Sequence, residues 1–322
     1  MTARKKKIPL WLTTVLVLVL MGLFSVIALL LPTQEDAQVL RPSVPDVVFE
    51  DFPTAPAHPD LDSEPDTKPT THQQADVATP TQKQGHGVAL IIDDVGYDLE
   101  ALRRILALNV PVAISILPDS PHSERAAEIS HQAGQMVMLH LPMEPDTAKY
   151  RDRMDASFLR ADMSPEQLRQ VFMRDLSHVP FVEGVNNHMG SHLTRMHGAM
   201  DGLMKVIGEE GLFFVDSKTS GKSVAAAAAE HAGLAWASRQ IFLDHHLDKE
   251  YLREAWQKAE ACQAEGKACV VIAHPHPETV AFLEQQLADN HKLELKPLRS
   301  LLHTQRLTTG MRKQTLTVGV IK

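Results

Sequence analysis

The stretch "VALIIDDVGY", residues 88–97, runs five apolar residues directly into two adjacent carboxylates, Asp93 and Asp94. A short apolar run bounded by turn residues is typical of a strand that is buried on both faces of a parallel sheet. Successive strand side chains face opposite sides, but the turn at a strand end relaxes this alternation, so both carboxylates can reach one cavity. One of them could bind a divalent cation while the other acts as a base, and capping of the following helix is the alternative.

Six more apolar runs follow the first, and helical segments separate most of them. The runs are "VPVAISILP" (110–118), "GQMVMLHLP" (134–142), "VEGVNNHMG" (182–190), "GLFFVDS" (211–217), "ASRQIFLD" (237–244) and "KACVVIAHP" (267–275). The predicted helices cover residues 99–108, 123–133, 165–177, 199–210, 223–232 and 249–265. Alternating strands and helices predict a parallel sheet with helices outside it. Seven strands favour a closed or nearly closed α/β barrel, and a doubly wound open sheet is the alternative.

The N-terminus carries a basic cluster, Arg4 to Lys7, followed by an apolar run of 22 residues from Leu10 to Leu31. A helix of that length spans ~33 Å, which is enough to cross the hydrocarbon core of a bilayer. Because the basic cluster favours the cytoplasmic side, we expect residues 1–31 to be a transmembrane anchor of the inner membrane, with the rest of the chain in the periplasm. A cleaved signal peptide, which would release a periplasmic protein, is the alternative, although no clear small-x-small cleavage site follows the run.

Residues 32–86 differ sharply from the segments on either side. Nine prolines and ten acidic residues against three basic ones fall there, among few large apolar residues. Such a composition cannot bury enough surface to offset the entropy of ordering, so we expect a disordered linker. The predicted barrel domain then covers residues 87–304, and residues 305–322 form a tail.

Overall composition excludes some classes of function. The net charge of −8 gives no indication of nucleic-acid binding, which would call for a basic patch. Cys262 and Cys269 are the only cysteines, which are too few for a disulfide framework, although they could form one bridge in an oxidising compartment.

Polar residues stand at the C-terminal end of nearly every apolar run. In a parallel barrel all those strand ends lie on one face, where such folds place their sites. The residues are Asp93, Asp94, His140, Asn187, His188, Asp216, Asp244 and His274. The sequence therefore predicts one shared site.

The histidines indicate what that site could bind. In "GVNNHMGSHL" (184–193), His188 lies at the strand end and His192 lies four residues farther into a loop. His140 ends another strand, and Glu144 follows it and could orient a histidine or hold substrate. Two neutral imidazoles and one carboxylate suit Zn²⁺ with an open coordination position. His274 could protonate a leaving group across the site, and surface or packed histidines are the ordinary alternative.

From about Val88 to about Leu302 the chain resembles the divergent polysaccharide deacetylase family, a branch of the metal-dependent carbohydrate deacetylases. The motifs that carry the resemblance occur in order: "LIIDDVG", "LHLPMEP", "GVNNHMGS", "FFVDSKTS", "RQIFLD" and "IAHPHP". The resemblance implies a distorted (β/α)7 barrel. It also implies that Asp93 is the catalytic base, that Asp94 is a metal ligand and that His274 is the catalytic acid.

The remaining ligands follow from the same resemblance, with departures. His140 falls where the larger family begins its histidine-x-x-x-histidine motif, and Glu144 replaces the second histidine. His188 lies on the strand where the larger family has an arginine-proline motif. The implied metal set is therefore Asp94, His140 and His188, with His192 in reserve. The remaining candidates orient groups or bind substrate: Asn187, Glu144 and Asp216.

The implied function is that of a membrane-anchored periplasmic hydrolase that uses a divalent metal, with Zn²⁺ favoured. It would remove N- or O-acetyl groups from an envelope polysaccharide or peptidoglycan. Its expected partners are the acetylated glycan, the membrane through the N-terminal helix, and candidate proteins of the cell-wall machinery, but not nucleic acid. The alternative is a catalytically silent barrel that serves as a glycan- or protein-binding scaffold, because a fold does not imply a function.

Overall fold

The computed structural model describes residues 85–152, 154–288 and 292–304, and they form a closed barrel of seven parallel strands. The strands are β1 (Gly87–Val95), β2 (Val112–Ile116), β3 (Met136–Met143), β4 (Val182–Met189), β5 (Phe213–Asp216), β6 (Trp236–Phe242) and β7 (Ala268–Ala273). Each strand pairs with its neighbours in chain order, and β7 pairs with β1 to close the sheet. The predicted α/β barrel is confirmed, and the open sheet is excluded.

Helices connect the strands on the outside of the barrel. They are α1 (Leu99–Leu106), α2 (Ser123–Gln132), α3 (Ala148–Arg151), α4 (Pro165–His178), α5 (His197–Glu209), α6 (Ala225–His231), α7 (Lys249–Ala264) and α8 (Pro277–Ala288). The six predicted helices are confirmed to within a few residues at each end. Neither the single turn α3 nor α8 was predicted. Arg104 of α1 joins Glu284 of α8 through two hydrogen bonds of 2.9 and 2.7 Å, which links the last helix to the first.

Capping residues set the first turns of three of these helices. Asp98 accepts hydrogen bonds from the backbone N–H groups of two residues in the first turn of α1. Ser164 and Gln167 form a reciprocal capping box before α4, and Asp248 caps α7. These contacts satisfy backbone donors that have no partner within the helix, so the chain leaves each preceding loop at a defined residue.

Buried apolar side chains form two groups on opposite faces of the sheet. One group joins the strands to the helices. The other contains the alternate strand residues together with Leu298, Leu301 and Leu302 of the C-terminal segment, whose 3₁₀ helix is Leu298–Leu301. Because this second group contains no side chain from the surrounding helices, it is the barrel interior, with the C-terminal leucines packed against it. Its strand members are Ala89, Ile91, Ala113, Met138, Phe213, Val215, Ala237, Val270 and Ile272.

Cys262 of α7 and Cys269 of β7 form a disulfide, with their Cα atoms 6.4 Å apart. None of the helices in the part of the chain that the structure describes combines the length and apolar character needed to span a bilayer. The predicted anchor, almost all of the predicted linker and the predicted tail fall in residues 1–84 and 305–322, outside the described residues.

Candidate metal centre

An irregularity at the end of β1 brings both carboxylates toward one cavity. The pairing of β1 with β2 is regular up to Ile92 and shifts before Val95. Within that interval, Asp94 has a φ of 53°, in the left-handed region. Aspartate tolerates this conformation better than most residues other than glycine. The strand alternation is therefore broken at the position where Asp93 and Asp94 both have to reach the same site.

His140 and His188 reach the site by ordinary strand alternation. Met138 belongs to the barrel interior, so His140, two residues later, faces the same way. In β4, Asn186 pairs with His140, and His188 lies two residues beyond it. Both imidazoles therefore continue the inward-facing rows at the carboxyl ends of neighbouring strands, which is where parallel barrels place their sites.

Three atoms that could each ligate a metal ion meet at this rim, one from each of Asp94, His140 and His188. Asp94 Oδ1 lies 3.0 Å from His140 Nε2 and 2.9 Å from His188 Nδ1. The two ring nitrogens are 3.2 Å apart. Asp94 Oδ1 is buried. Although both ring nitrogens lie close to it, this oxygen makes no hydrogen bond of good geometry with any of the described residues.

This arrangement fits a metal ion. Ligand atoms ~2.0–2.1 Å from a tetrahedral Zn²⁺ are ~3.3–3.4 Å from one another, which is close to the observed separations. A buried carboxylate oxygen without a hydrogen bond is also costly unless a cation or proton satisfies it. Asp94, His140 and His188 are thus able to hold one divalent cation.

The charges of the group are coupled. Burial disfavours ionisation of Asp94, but the imidazoles of His188 and His140 outweigh it and hold the pKa of Asp94 well below its usual range. Burial lowers the pKa of His140, but the carboxylates of Asp93 and Asp94 outweigh this and raise it above the ordinary value for histidine. Protons therefore compete with a metal ion for His140.

Asp93 lies beside this group. Its carboxylate is only 2% exposed, and its nearest approach to His140 Nε2 is 3.8 Å. The side-chain amide of Asn186 donates to both of its oxygens, at 2.9 and 3.0 Å. Burial raises the pKa of Asp93 above its ordinary value, although His140, His274 and the hydrogen bond from Asn186 oppose the rise.

His274 forms a buried dyad with Asp244. The ring nitrogen Nδ1 of His274 lies 3.0 Å from Asp244 Oδ1, and the backbone N–H of His274 donates to Asp244 Oδ2 at 2.7 Å. Thr279 Oγ1 donates to the same oxygen at 2.8 Å. Burial disfavours the charged imidazole, but the adjacent Asp244 carboxylate outweighs it and raises the pKa of His274 to about 9. His274 is therefore protonated at neutral pH.

His276 extends this second cluster. Asp244, His274 and His276 offer ligand atoms that all lie within 4.8 Å of one another, as a metal site would require. The carboxylate of Asp244, however, already accepts three hydrogen bonds, two from His274 and one from Thr279. The cluster is better described as an imidazolium held by its carboxylate than as a second cation site.

Two predicted substrate or orienting residues face away from the barrel interior. Asn187 accepts from the backbone N–H of Ser217 at 2.9 Å and donates to the backbone oxygen of Met189 at 2.8 Å. Asp216 accepts from the backbone N–H of Lys218 at 2.8 Å, and burial raises its pKa. Both side chains form hydrogen bonds that support the loops after β4 and β5. Neither belongs to the group formed by Asp94, His140 and His188.

Glu144 and His192 lie together in the loops beside the centre. Glu144 accepts from the backbone N–H of Ala161 at 2.8 Å and pairs with Arg151 at 3.2 Å. His192 approaches Glu144 to 4.0 Å and Asp146 to 3.7 Å. The structure therefore brings Asp94, His140 and His188 together. His192, the reserve ligand, lies beside Glu144 and Asp146 instead.

Asn186 is a site residue that was not predicted from the sequence. The neighbouring Asn187 was predicted instead, because of its position at the strand end. The available signal was the two-residue period of β4. Residues two apart on a strand face the same side, so if His188 faces the barrel interior, Asn186 does too. Asp244 was recognised as a strand-end residue, but its pairing with His274 depends on contacts between β6, β7 and α8 that no spacing reveals.

Together, the closed seven-stranded parallel barrel and the carboxylate–imidazole group at its carboxyl rim define an α/β-barrel protein with a candidate metal centre. Residues 90–302 match the divergent polysaccharide deacetylase family, and the chain belongs to this family. The resemblance noted in its motifs is thereby confirmed.

The chain is similar in sequence to two curated proteins and in fold to one solved structure. The uncharacterized protein YibQ of Escherichia coli (strain K12) is 32% identical over 200 residues, which span 62% of this chain and 62% of that protein. An uncharacterized protein of Haemophilus influenzae is also 32% identical, over 62% of this chain and 70% of its own length. The crystal structure of the uncharacterized protein ATU2773 from Agrobacterium tumefaciens C58 superposes with a TM-score of 0.61 at 17% identity, covering 68% of this chain and 90% of that one. This likeness shows a shared fold.

Proposed function

We propose that the protein is a metal-dependent hydrolase that removes N- or O-acetyl groups from an envelope polysaccharide or peptidoglycan. The observation that carries the proposal is the convergence of Asp94, His140 and His188 within hydrogen-bonding distance of one another, with Asp94 Oδ1 otherwise unsatisfied among the described residues. Membership of the divergent polysaccharide deacetylase family supports the carbohydrate substrate.

The three residues would hold a divalent cation, and their two nitrogens and one oxygen favour Zn²⁺. A bound cation would polarise the acetyl carbonyl and make water a stronger acid at neutral pH. Asp93 is the base of the proposal. It lies next to the ligand set but is held by Asn186, and burial raises its pKa, so that it accepts the proton of the attacking water more readily.

His274 is the acid of the proposal. Without a proton, the sugar nitrogen or oxygen would leave as an amide anion or an alkoxide, both of which are strong bases, so a proton has to be supplied as the bond to the acetyl carbon breaks and an amine or alcohol departs. His274 is protonated at neutral pH because Asp244 stabilises its charge, and Nδ1 is engaged by Asp244. Nε2 is therefore the nitrogen that can give a proton to the leaving group. Asn187, Asp216 and Glu144 support the loops around this chemistry.

We place the barrel in the periplasm, held to the inner membrane by residues 1–31 and standing off it on the linker 32–86. The 22-residue apolar run behind a basic cluster supports an uncleaved anchor, and a signal peptide that is removed is the other form of the same proposal. A disulfide between Cys262 and Cys269 is compatible with an oxidising compartment. The expected substrate is an acetylated envelope glycan, and cell-wall proteins are the candidate protein partners.

Replacement of Asp93 by Asn tests the proposal. The full-length variant should lose at least ~100-fold in acetate release from acetylated chitooligosaccharide or peptidoglycan, because a general base is worth about that much. It should still bind one equivalent of Zn²⁺, since Asp93 is outside the ligand set. Asp201→Asn, the same change on the exposed face of α5, is the matched control and should behave like the parent.

Three outcomes would count against the proposal. Turnover by Asp93→Asn at the parental rate would show that the base is wrongly assigned. Loss of the metal from this variant would place Asp93 among the ligands. A parent protein that binds acetylated glycan but releases no acetate with any divalent metal would instead support the catalytically silent scaffold.

A further inference from the structure

Asn186 is the most completely bonded polar side chain of the site. It lies in the middle of β4 and is fully buried, at 0% exposure. Its amide nitrogen donates to Asp93 Oδ1 and Oδ2 at 2.9 and 3.0 Å and to Ser217 Oγ at 3.1 Å. Its amide oxygen lies 3.2 Å from His140 Nδ1 and accepts from Ser115 Oγ. One amide group thus contacts both the proposed base and a proposed metal ligand.

The chemistry of the neighbours fixes the orientation of this amide. An ionised carboxylate can only accept hydrogen bonds, so the NH₂ end has to face Asp93. The carbonyl oxygen is then turned toward His140 and can only accept. His140 must therefore carry its proton on Nδ1 when neutral, which leaves the lone pair of Nε2 for a metal ion. Nε2 is the atom that lies 3.0 Å from Asp94 Oδ1.

We propose that Asn186 is the positioning residue that couples the two halves of the centre. Its N–H group keeps Asp93 oriented as a base beside the metal ligands, and its oxygen selects the tautomer of His140 that can bind the ion. This inference rests on the proposed function. It assigns two tasks to one amide. An apolar residue could perform neither of them, and an acidic residue could perform only one, the contact with His140.

The alternative side chains show why the two tasks can be separated. With Asn186→Asp, the new carboxylate would still accept from His140 Nδ1, so the metal ligand would keep its tautomer. It would also face Asp93, and the two carboxylates would either repel or share a proton, so Asp93 would no longer serve as a free base. With Asn186→Leu, whose side chain has the same branching and the same number of non-hydrogen atoms as asparagine, both sets of hydrogen bonds would be lost.

The experiment compares the full-length parent with Asn186→Asp, Asn186→Leu and Asn109→Asp. The last is the matched control, because it makes the same change of an amide to a carboxylate at an exposed position before β2. Co²⁺ is the metal probe, since its visible absorption reports coordination as well as affinity. Acetate release from acetylated chitooligosaccharide gives kcat and KM, and thermal unfolding without metal checks that each variant is folded.

The expected result is a split between the variants. Asn186→Asp should bind Co²⁺ within ~3-fold of the parent with the parental spectrum, while kcat falls at least ~100-fold and KM changes little. Asn186→Leu should bind Co²⁺ ~10–100-fold more weakly, as is usual when the partner of a metal-bound histidine is removed. Asn109→Asp should match the parent in both measurements.

Parental turnover in Asn186→Asp, or parental Co²⁺ affinity in Asn186→Leu, would overturn the inference and leave the proposed function standing. Should Asn186→Leu fail to fold, the split between metal binding and kcat in Asn186→Asp still decides it. A parent that binds Co²⁺ without releasing acetate would end the proposed function, while the Co²⁺ affinities would still decide whether Asn186 orients His140. A parent that does neither would end both.

Discussion

At the scale of single residues, the centre depends on where the backbone and the neighbouring charges leave each polar atom. Asp94 reaches the site because its backbone is left-handed at a point where the β1–β2 pairing shifts. A non-glycine residue in this region costs of order 1 kcal/mol, which the surrounding barrel has to offset. Asp93, one residue earlier, keeps the ordinary strand direction. Adjacent carboxylates can therefore differ in environment and in the direction of their pKa shift.

The pKa of His274 predicts how activity depends on pH. Because the proposed acid must be protonated, the rate of the proposed deacetylation should fall as pH rises through about 9. Replacing Asp244 by Asn removes the charge that holds the proton, so this alkaline limb should move to lower pH. The measurement is kcat/KM as a function of pH for the parent and Asp244→Asn. An alkaline limb that stays in place would show that another group is the acid.

Protonation of His274 should also make the free energy of unfolding depend on pH in a predictable direction. A histidine whose pKa is higher in the folded state stabilises that state in its protonated form. The contribution of His274 is complete below the ordinary histidine pKa of ~6.5 and is lost as pH rises through about 9. Urea unfolding of the metal-free protein at a series of pH values should show this decline, and the decline should be absent in Asp244→Asn. A decline of equal size in that variant would contradict the assignment.

At the scale of elements, strand alternation determines which polar residues enter the site. The rows that carry Ile91, Met138 and Ile272 inside the barrel continue to Asp93, His140 and His274 at the rim. In β4 and β5 the opposite rows carry Asn187 and Asp216 toward the loops. A strand-end position was therefore enough to predict which strands carry polar residues near the rim. It was not enough to decide which of two neighbours faces inward.

The disulfide is an element-scale feature that can be tested separately from the site. It joins two residues that are seven positions apart in the sequence, one in α7 and one in β7. By loop entropy, a bridge of this length contributes ~2–3 kcal/mol to the free energy of unfolding. Reduction, or Cys262→Ser with Cys269→Ser, should lower Tm by several degrees without changing metal affinity. An unchanged Tm in reducing buffer would mean that the bridge does not form in the protein.

The C-terminal leucines that pack against the barrel interior should matter for stability alone. Leu301 is fully buried in the interior cluster. Leu301→Ala should cost about 2–5 kcal/mol of unfolding free energy because it leaves a cavity among fixed strands. Chemical denaturation measures the loss, and metal stoichiometry should remain that of the parent. A variant of parental stability would mean that this segment does not support the barrel.

At the scale of the whole molecule, local patterns predicted the architecture well. Each apolar run and most of the helices between them carried its own signal, so their order alone implied a parallel barrel with one functional rim. Predictions failed where the outcome depends on contacts between distant segments. Asn186 bridges β1 and β3, and the pairing of Asp244 with His274 joins β6 to the end of β7. The two-residue period of β4 indicates which way Asn186 faces, but no spacing within the chain encodes either contact.

Metal binding should stabilise the entire barrel, because its ligands come from β1, β3 and β4. A ligand that binds only the folded state at ~100 times its Kd adds about 2.7 kcal/mol. Zn²⁺ should therefore raise Tm at pH 7.5. The increase should be smaller at pH 5, since protons compete for His140, whose pKa is raised. His140→Ala should abolish the shift. A pH-independent shift, or one that survives His140→Ala, would place the ion elsewhere.

The most direct test of the central claim is a crystal structure of the protein soaked with Zn²⁺, with anomalous data collected on both sides of the zinc absorption edge. The account predicts one anomalous peak bonded to Asp94 Oδ1, His140 Nε2 and His188 Nδ1 at ~2.0–2.2 Å. Asp93 should lie beside the ion without bonding to it. A peak at the Asp244–His274–His276 cluster alone, or no peak at the rim of β1, β3 and β4, would contradict the account.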